Sequence, residues 1–148
     1  MRGPAAQSTS GDAGTAVVEF IVVAVLLLVP LAYGIVSIMR VQAASEATVQ
    51  AAREAGRAFV TADSPMQGRR RAEVAAQLAF ADQGFEVPGT ALQFDCAAEG
   101  CLTPGSAVTV HIDWRVPLPW MPAGLFASAE IPIAAEHEVP VDVYRLSA

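Results

Sequence analysis

Residues 14–39 read GTAVVEFIVVAVLLLVPLAYGIVSIM, and from Phe20 to Met39 the only ionisable group is the phenol of Tyr33. As a helix this run covers about 30 Å, the thickness of the hydrocarbon core of a bilayer. It therefore predicts one membrane-spanning helix. A secretory signal peptide is the rival reading, with cleavage at the small residues Ala43 and Ala44. Its apolar region is normally about 7 to 15 residues long behind a strongly basic flank, whereas only Arg2 precedes this run. Pro30 lies mid-segment with Gly34 one turn later. That pair reads either as the ordinary tolerance of membrane helices for proline and glycine or as a point where the helix can bend.

Around this run there is room for one domain: the chain has 148 residues, 53% hydrophobic and 16% charged, which is too apolar for a disordered protein. The formal net charge is -6 and all nine basic residues are arginine, so there is no electrostatic footprint for nucleic acid.

Just upstream, residues 1–14 form a polar segment rich in Gly, Ser and Ala that ends at Gly14, and Glu19 stands inside the entry to the apolar run, followed by Phe20. A carboxylate at the centre of a membrane helix costs about 2.5 to 3.5 kcal/mol and less near the end, so its presence requires a reason. The helix N-terminus supplies part of one, because its dipole favours negative charge. An interfacial glutamate directed at headgroups is the plain alternative.

A short leader ending in glycine, a glutamate at the fifth position after it and an aromatic next resemble the processing site of type IV pilin-like proteins. Gly14, Glu19 and Phe20 occupy those places. More narrowly, the segment GTAVVEFIVVAVLLLVPLAYGIVSIMRVQAASEATVQAAREAGR resembles the TadE-like family of minor pseudopilins from tight-adherence (Flp-type) pilus systems, over roughly residues 11–60. The resemblance implies cleavage of the Gly14-Thr15 bond by a membrane prepilin peptidase, with the leader cytoplasmic and the body exported. It also implies that Glu19, with Phe20 beside it, serves subunit assembly by facing the new amino terminus of its own or a neighbouring chain. Thr15 departs from the bulkier first residues of major pilins.

Arginine counting opposes this topology, since Arg2 faces Arg40, Arg53 and Arg57 across the segment and weakly places the C-terminal part inside. Cys96 and Cys101 point the other way, because a lone close pair in a small domain is usually a disulfide formed in an oxidising compartment. The four residues between them suit a turn that lets the sulfurs meet. A metal site needs more ligands, and His111 and His137 are in no ligand spacing with the cysteines. His111 falls on the polar phase of its strand, whereas His137 falls in phase with Ile133 and Val139 and reads as a hydrogen-bonded core histidine.

Beyond Arg40 the helical pattern continues to Thr61 without proline, as a stem. Val41, Ala44, Thr48, Ala51, Ala55 and Ala58 form a heptad-like seam, suited to packing against other subunits or against the protein's own sheet. A second helix starts with Ser64 as N-cap, Pro65 at its first position and Gln67 completing a capping box. It runs to about Asp82 and stops at Gly84, with Phe85 placed on Phe80 in a Schellman arrangement. Arg69, Arg70 and Arg71 lie early in it, either as a solvated face or as a contact for anionic lipid or an acidic partner.

Strands follow. Val108, Val110, Ile112, Trp114 and Val116 alternate with Thr109, His111, Asp113 and Arg115; Leu92, Phe94 and Cys96 form a shorter run; Ile131, Ile133, Val139, Val141 and Val143 form a late set interrupted by Pro132 and Pro140, which marks an edge. Between the last two runs, Trp120, Met121, Leu125 and Phe126 lie in a proline-rich loop that either offers a partner contact or closes the end of the core.

The fold class is thus α+β: a long N-terminal membrane-spanning helix continuing into a stem, a second short helix and a small antiparallel sheet. The expected organisation is 1–14 leader, 15–39 membrane helix, 40–62 stem and 63–148 exported α+β domain. No glycine-rich phosphate loop, Ser-His-Asp or Cys-His motif, or metal-ligand cluster is present. The reading is of a non-enzyme with no cofactor, no metal, no small-molecule substrate and no nucleic-acid partner. Its implied partners are the membrane, a prepilin peptidase and other pilin-like or pilus-assembly subunits. The expected location is the cytoplasmic (inner) membrane, single-pass with the N-terminus cytoplasmic, and onward to the pilus or cell surface. The alternative is an uncleaved single-pass protein whose exported β domain binds a ligand or protein partner.

Overall fold

The computed structural model describes residues 12–97, 100–118 and 130–145. Helix α1 spans Asp12–Val60 and α2 Pro65–Asp82; a single 3-10 turn at Gly89–Ala91 leads into β1 (Leu92–Cys96), β2 (Ala107–Pro117) and β3 (Glu130–Pro140). The α+β arrangement of a long apolar helix, a second helix and a small antiparallel sheet is the expected one. The chain forms two compact units, residues 1–38 and 39–148. The described residues of the first are the N-terminal part of α1, unbroken at Pro30.

In the second unit, β2 is the central strand and pairs antiparallel with β1 on one side and β3 on the other. Leu92 opposes Ile112, Cys96 opposes Val108, Val110 opposes His137 and Val116 opposes Ile131. Period-two alternation puts Val108, Val110, Ile112 and Val116 on one face, all fully buried. Pro132 is tolerated because β3 is an edge strand, and the strand ends on Pro140. The late apolar set is therefore shorter than its sequence suggests: Val141 is buried beyond the strand and Val143 is exposed. Edge position also leaves His137 half-buried rather than enclosed in the core.

The buried face of the sheet is covered by the stem. Ala44, Ala47, Thr48, Ala51, Ala52, Ala55 and Phe59 are fully buried in α1. Each lies three or four residues from another of the set, as on one face of a helix of 3.6 residues per turn. This differs from the expected seam, since Val41 and Ala58 are only half-buried while Ala47, Ala52, Gly56 and Phe59 join the stripe. A flat sheet takes a broader strip of helix than a coiled-coil partner does, and the strip faces the protein's own sheet. Alanine side chains let the two layers approach closely. At Gly56 the approach is extreme, for a Cβ there would lie 2.5 Å from Val139 Cγ2.

Helix α2 completes the layer through Gly68, Ala72, Ala76, Ala79 and Phe80. Gly68 sits against Phe59, whose carbonyl oxygen would be 3.0 Å from a Cβ at that position. Ser64 caps the helix as expected, its Oγ accepting from the Gln67 N–H at 3.4 Å. The Gln67 side chain, however, accepts from the Asp63 N–H at 3.1 Å instead of that of Ser64, so the capping box is displaced by one residue. The C-terminal stop is a full Schellman motif: Phe85 N–H donates to Phe80 C=O, Gly84 N–H to Ala81 C=O, and Gly84 has φ of 74°.

Candidate functional site: the exposed apolar helix

The most exposed apolar surface of the described residues belongs to α1 before the stem. Phe20 is 73% exposed and Leu26, Leu27 and Leu28 are each 67% exposed, and the most apolar window of the helix has no buried residue. Water does not solvate such a surface at low cost: each large apolar side chain left exposed forgoes about 1.5 to 3 kcal/mol of burial. By length and composition α1 is the one helix among the described residues able to cross a bilayer. Glu19 and Phe20 both lie exposed in its first turns, and the helical backbone begins at Asp12, so it runs through the Gly14-Thr15 bond.

Within the second unit the Arg40 guanidinium lies over the Phe85 ring at 5.0 Å. Phe85 and Phe80 both set their rings edge-on against Trp114, each at 5.3 Å. Phe80 and Phe85 are thus brought together through a third ring that their sequence spacing does not reveal. The Trp114 indole N–H donates to Thr48 Oγ1 at 2.8 Å, and Thr48 Oγ1 donates to Ala44 C=O at 2.6 Å. Through this relay the one fully buried polar side chain among the described residues is satisfied. At the other end of the stem, Phe59 stacks on Phe94 at 4.9 Å, and Arg69 lies over the same Phe94 at 5.4 Å.

Arg145 was not singled out by sequence pattern, yet it closes the stem. Its Nη1 donates to the Val60 carbonyl at 2.7 Å and its Nη2 to the Ala62 carbonyl. These are carbonyls at and just beyond the C-terminus of α1, where a cation is favoured by the dipole. A lone arginine in a terminal segment carries no local signal of such a role.

The Cys96 and Cys101 sulfurs are at disulfide-bonding distance. His111 lies on the uncovered face of the sheet, with Nε2 3.2 Å from Asp95 Oδ2 and Nδ1 3.6 Å from Glu136 Oε2, so it joins all three strands. Among the described residues no cluster of three or more His, Cys, Asp or Glu could hold a metal ion. Trp120, Met121, Leu125 and Phe126 lie outside the described residues.

Both the exposed apolar surface and the buried stem stripe lie on α1. Residues 14–57 match the family model of the TadE-like proteins. The matched segment begins at Gly14, contains Glu19 and Phe20, and ends one residue beyond Gly56, where a Cβ would lie 2.5 Å from Val139 Cγ2. It stops before α2 and the strands. No curated protein and no solved structure matches the chain.

Proposed function

We propose that this chain is a membrane-anchored pseudopilin acting as a structural component of a tight-adherence (Flp-type) pilus or a related secretion system, and that a prepilin peptidase cleaves it after Gly14. The carrying observation is the coincidence of the TadE-like match at residues 14–57 with one exposed apolar helix that opens on Gly14, Thr15, Glu19 and Phe20. In this reading the N-terminus is cytoplasmic, residues 15–39 cross the inner membrane, and the domain that follows is exported. The close pair Cys96 and Cys101 supports an oxidising destination.

Glu19 then has a physical role. After cleavage the amino group of Thr15 is the nearest new cation, and a carboxylate and an ammonium paired at membrane depth are tolerable where either alone is costly. Tyr33 and Ser37, one turn apart on α1, carry hydroxyls with no hydrogen-bond partner among the described residues. In hydrocarbon such groups are satisfied by a neighbouring helix, which supports association through this segment.

The experiment is the intact mass and N-terminal sequence of the protein recovered from host membranes. A chain starting at Thr15 is expected. A chain that retains Met1 or Arg2 overturns processing and leaves a permanently anchored domain that binds a partner; a start at Ala44 makes α1 a signal segment.

A further inference from the structure

Among the described residues the three-stranded sheet is covered on one face only. Its outer face carries Thr109, His111, Asp113 and Arg115 from β2, and the strand register brings Asp95 from β1 and Glu130, Glu136 and Glu138 from β3 to the same side. Five carboxylates therefore stand against the single guanidinium of Arg115, and all of them are exposed, the Asp95 and Glu136 side chains by 79% and 67%.

The helical layer has the opposite character at one place. Arg69, Arg70 and Arg71 are exposed on α2, which has no acidic residue in its first turn to offset them. Three consecutive cations in the second turn of a helix repel one another unless an anion answers them. Arg69 and Arg70 make only an aromatic and a thioether contact, over Phe94 and with Met66 Sδ. Among the described residues no carboxylate lies at ion-pairing distance from any of the three, and the ion pairs present are those of His111.

We propose that the arginine face of α2 docks on the acidic outer sheet face of a second copy of this chain, in a head-to-tail contact. Both halves of the complementary pair are on one polypeptide but in different layers, so a single molecule cannot bring them together. A neighbour can, and because the two surfaces differ the contact is heterologous and repeats from copy to copy. Opposite charge across such a contact selects partner and register more than it adds raw affinity. Anionic lipid is the weaker occupant: Gly68, beside Arg69, packs on Phe59, which is about 30 Å along α1 from Met39 at the end of the apolar run. That distance is about three Debye lengths at 0.1 M salt. The proposal does not depend on cleavage after Gly14.

The test uses two differently tagged copies of the full chain, co-expressed and extracted in mild detergent, with co-purification read at low and high salt. The wild-type pair is expected to co-purify at about 0.05 M salt and to lose about tenfold of that recovery at 0.5 M. Arg69→Glu, Arg70→Glu and Arg71→Glu together in both copies, or Glu136→Lys with Glu138→Lys in both copies, should each reduce recovery about tenfold at low salt. Pairing the arginine variant with the Glu136→Lys, Glu138→Lys variant should restore it, because the native arginine face of the second meets the native acidic face of the first, and the reversed faces are complementary as well. That rescue separates charge from misfolding. Recovery that is indifferent to salt and to both variants overturns the proposal, as does loss in both variants without rescue. Salt-sensitive retention of the chain on anionic vesicles, abolished by the arginine variant and accompanied by no copy-to-copy recovery, assigns the arginines to lipid and also overturns it.

Discussion

The Trp114 indole N–H donates to Thr48 Oγ1 at 2.8 Å, joining β2 to the stem helix across a sequence separation of 66. Thr48 passes the bond on to Ala44 C=O, so hydroxyl, indole and carbonyl are satisfied together inside an alanine-lined layer. Thr48→Val keeps the shape and removes the acceptor, leaving the indole N–H unpaired at a cost of about 1 to 3 kcal/mol. Thermal unfolding of the full chain in detergent should show a lowered midpoint for Thr48→Val and a value near wild type for Thr48→Ser. Equal midpoints for Thr48→Val and wild type, or a Thr48→Val, Trp114→Phe pair that shows no coupling, would remove the bond from the account of stability.

Gly56 tests the closeness of helix and sheet. Alanine is the better helix former by about 0.8 to 1.0 kcal/mol, so on propensity alone Gly56→Ala stabilises. The Val139 methyl 2.5 Å from the new Cβ reverses the sign, and a net loss of about 1 to 3 kcal/mol is expected from the overpacking. Adding Val139→Ala should recover part of that loss. A raised unfolding midpoint for Gly56→Ala alone would show that the layers are further apart.

Arg145 holds the last turn of α1 through two carbonyls. Because the guanidinium is only partly buried, Arg145→Ala should cost about 1 kcal/mol, toward the low end for hydrogen bonds to a charged group. The sharper readout is local: amide exchange should accelerate around residues 57–62 and stay unchanged around Ala44 to Ala52. Uniform acceleration, or none, would deny the arginine its capping role.

Processing and assembly separate at two residues. Gly14→Leu should leave an uncleaved precursor in host membranes, by intact mass. Glu19→Ala should be cleaved normally yet recover fewer pilin-like subunits on co-purification. Normal processing of Gly14→Leu counts against a prepilin peptidase, and unchanged co-purification of Glu19→Ala makes Glu19 an interfacial residue with no assembly role.

Cys96 and Cys101 enclose a short loop, so their cross-link should contribute about 2 kcal/mol by the loop-entropy estimate. Before reduction both should resist thiol labelling in protein from host membranes. Free labelling of either would contradict the pairing and the oxidising compartment with it.

Features that depend on near neighbours are written in the residue order. The apolar run of α1, the Ser64 and Pro65 start and Gly84 stop of α2, the alternation of β2 and the edge position signalled by Pro132 are all legible, because periodicity, caps and proline act within a few residues. The likeness of residues 14–57 to the TadE-like family was legible for the same reason, as a local pattern. Long-range packing sets which face of the stem is buried, that Phe59 and not Ala58 continues it, and that Gly56 is where α1 meets Val139. It alone placed Trp114 on Thr48, Arg145 on the end of α1, and five carboxylates together on one side of the sheet. Those choices are made by residues far apart in the chain, where the energy lies in close packing and in satisfying buried polar groups, and a one-dimensional pattern carries neither distance nor direction.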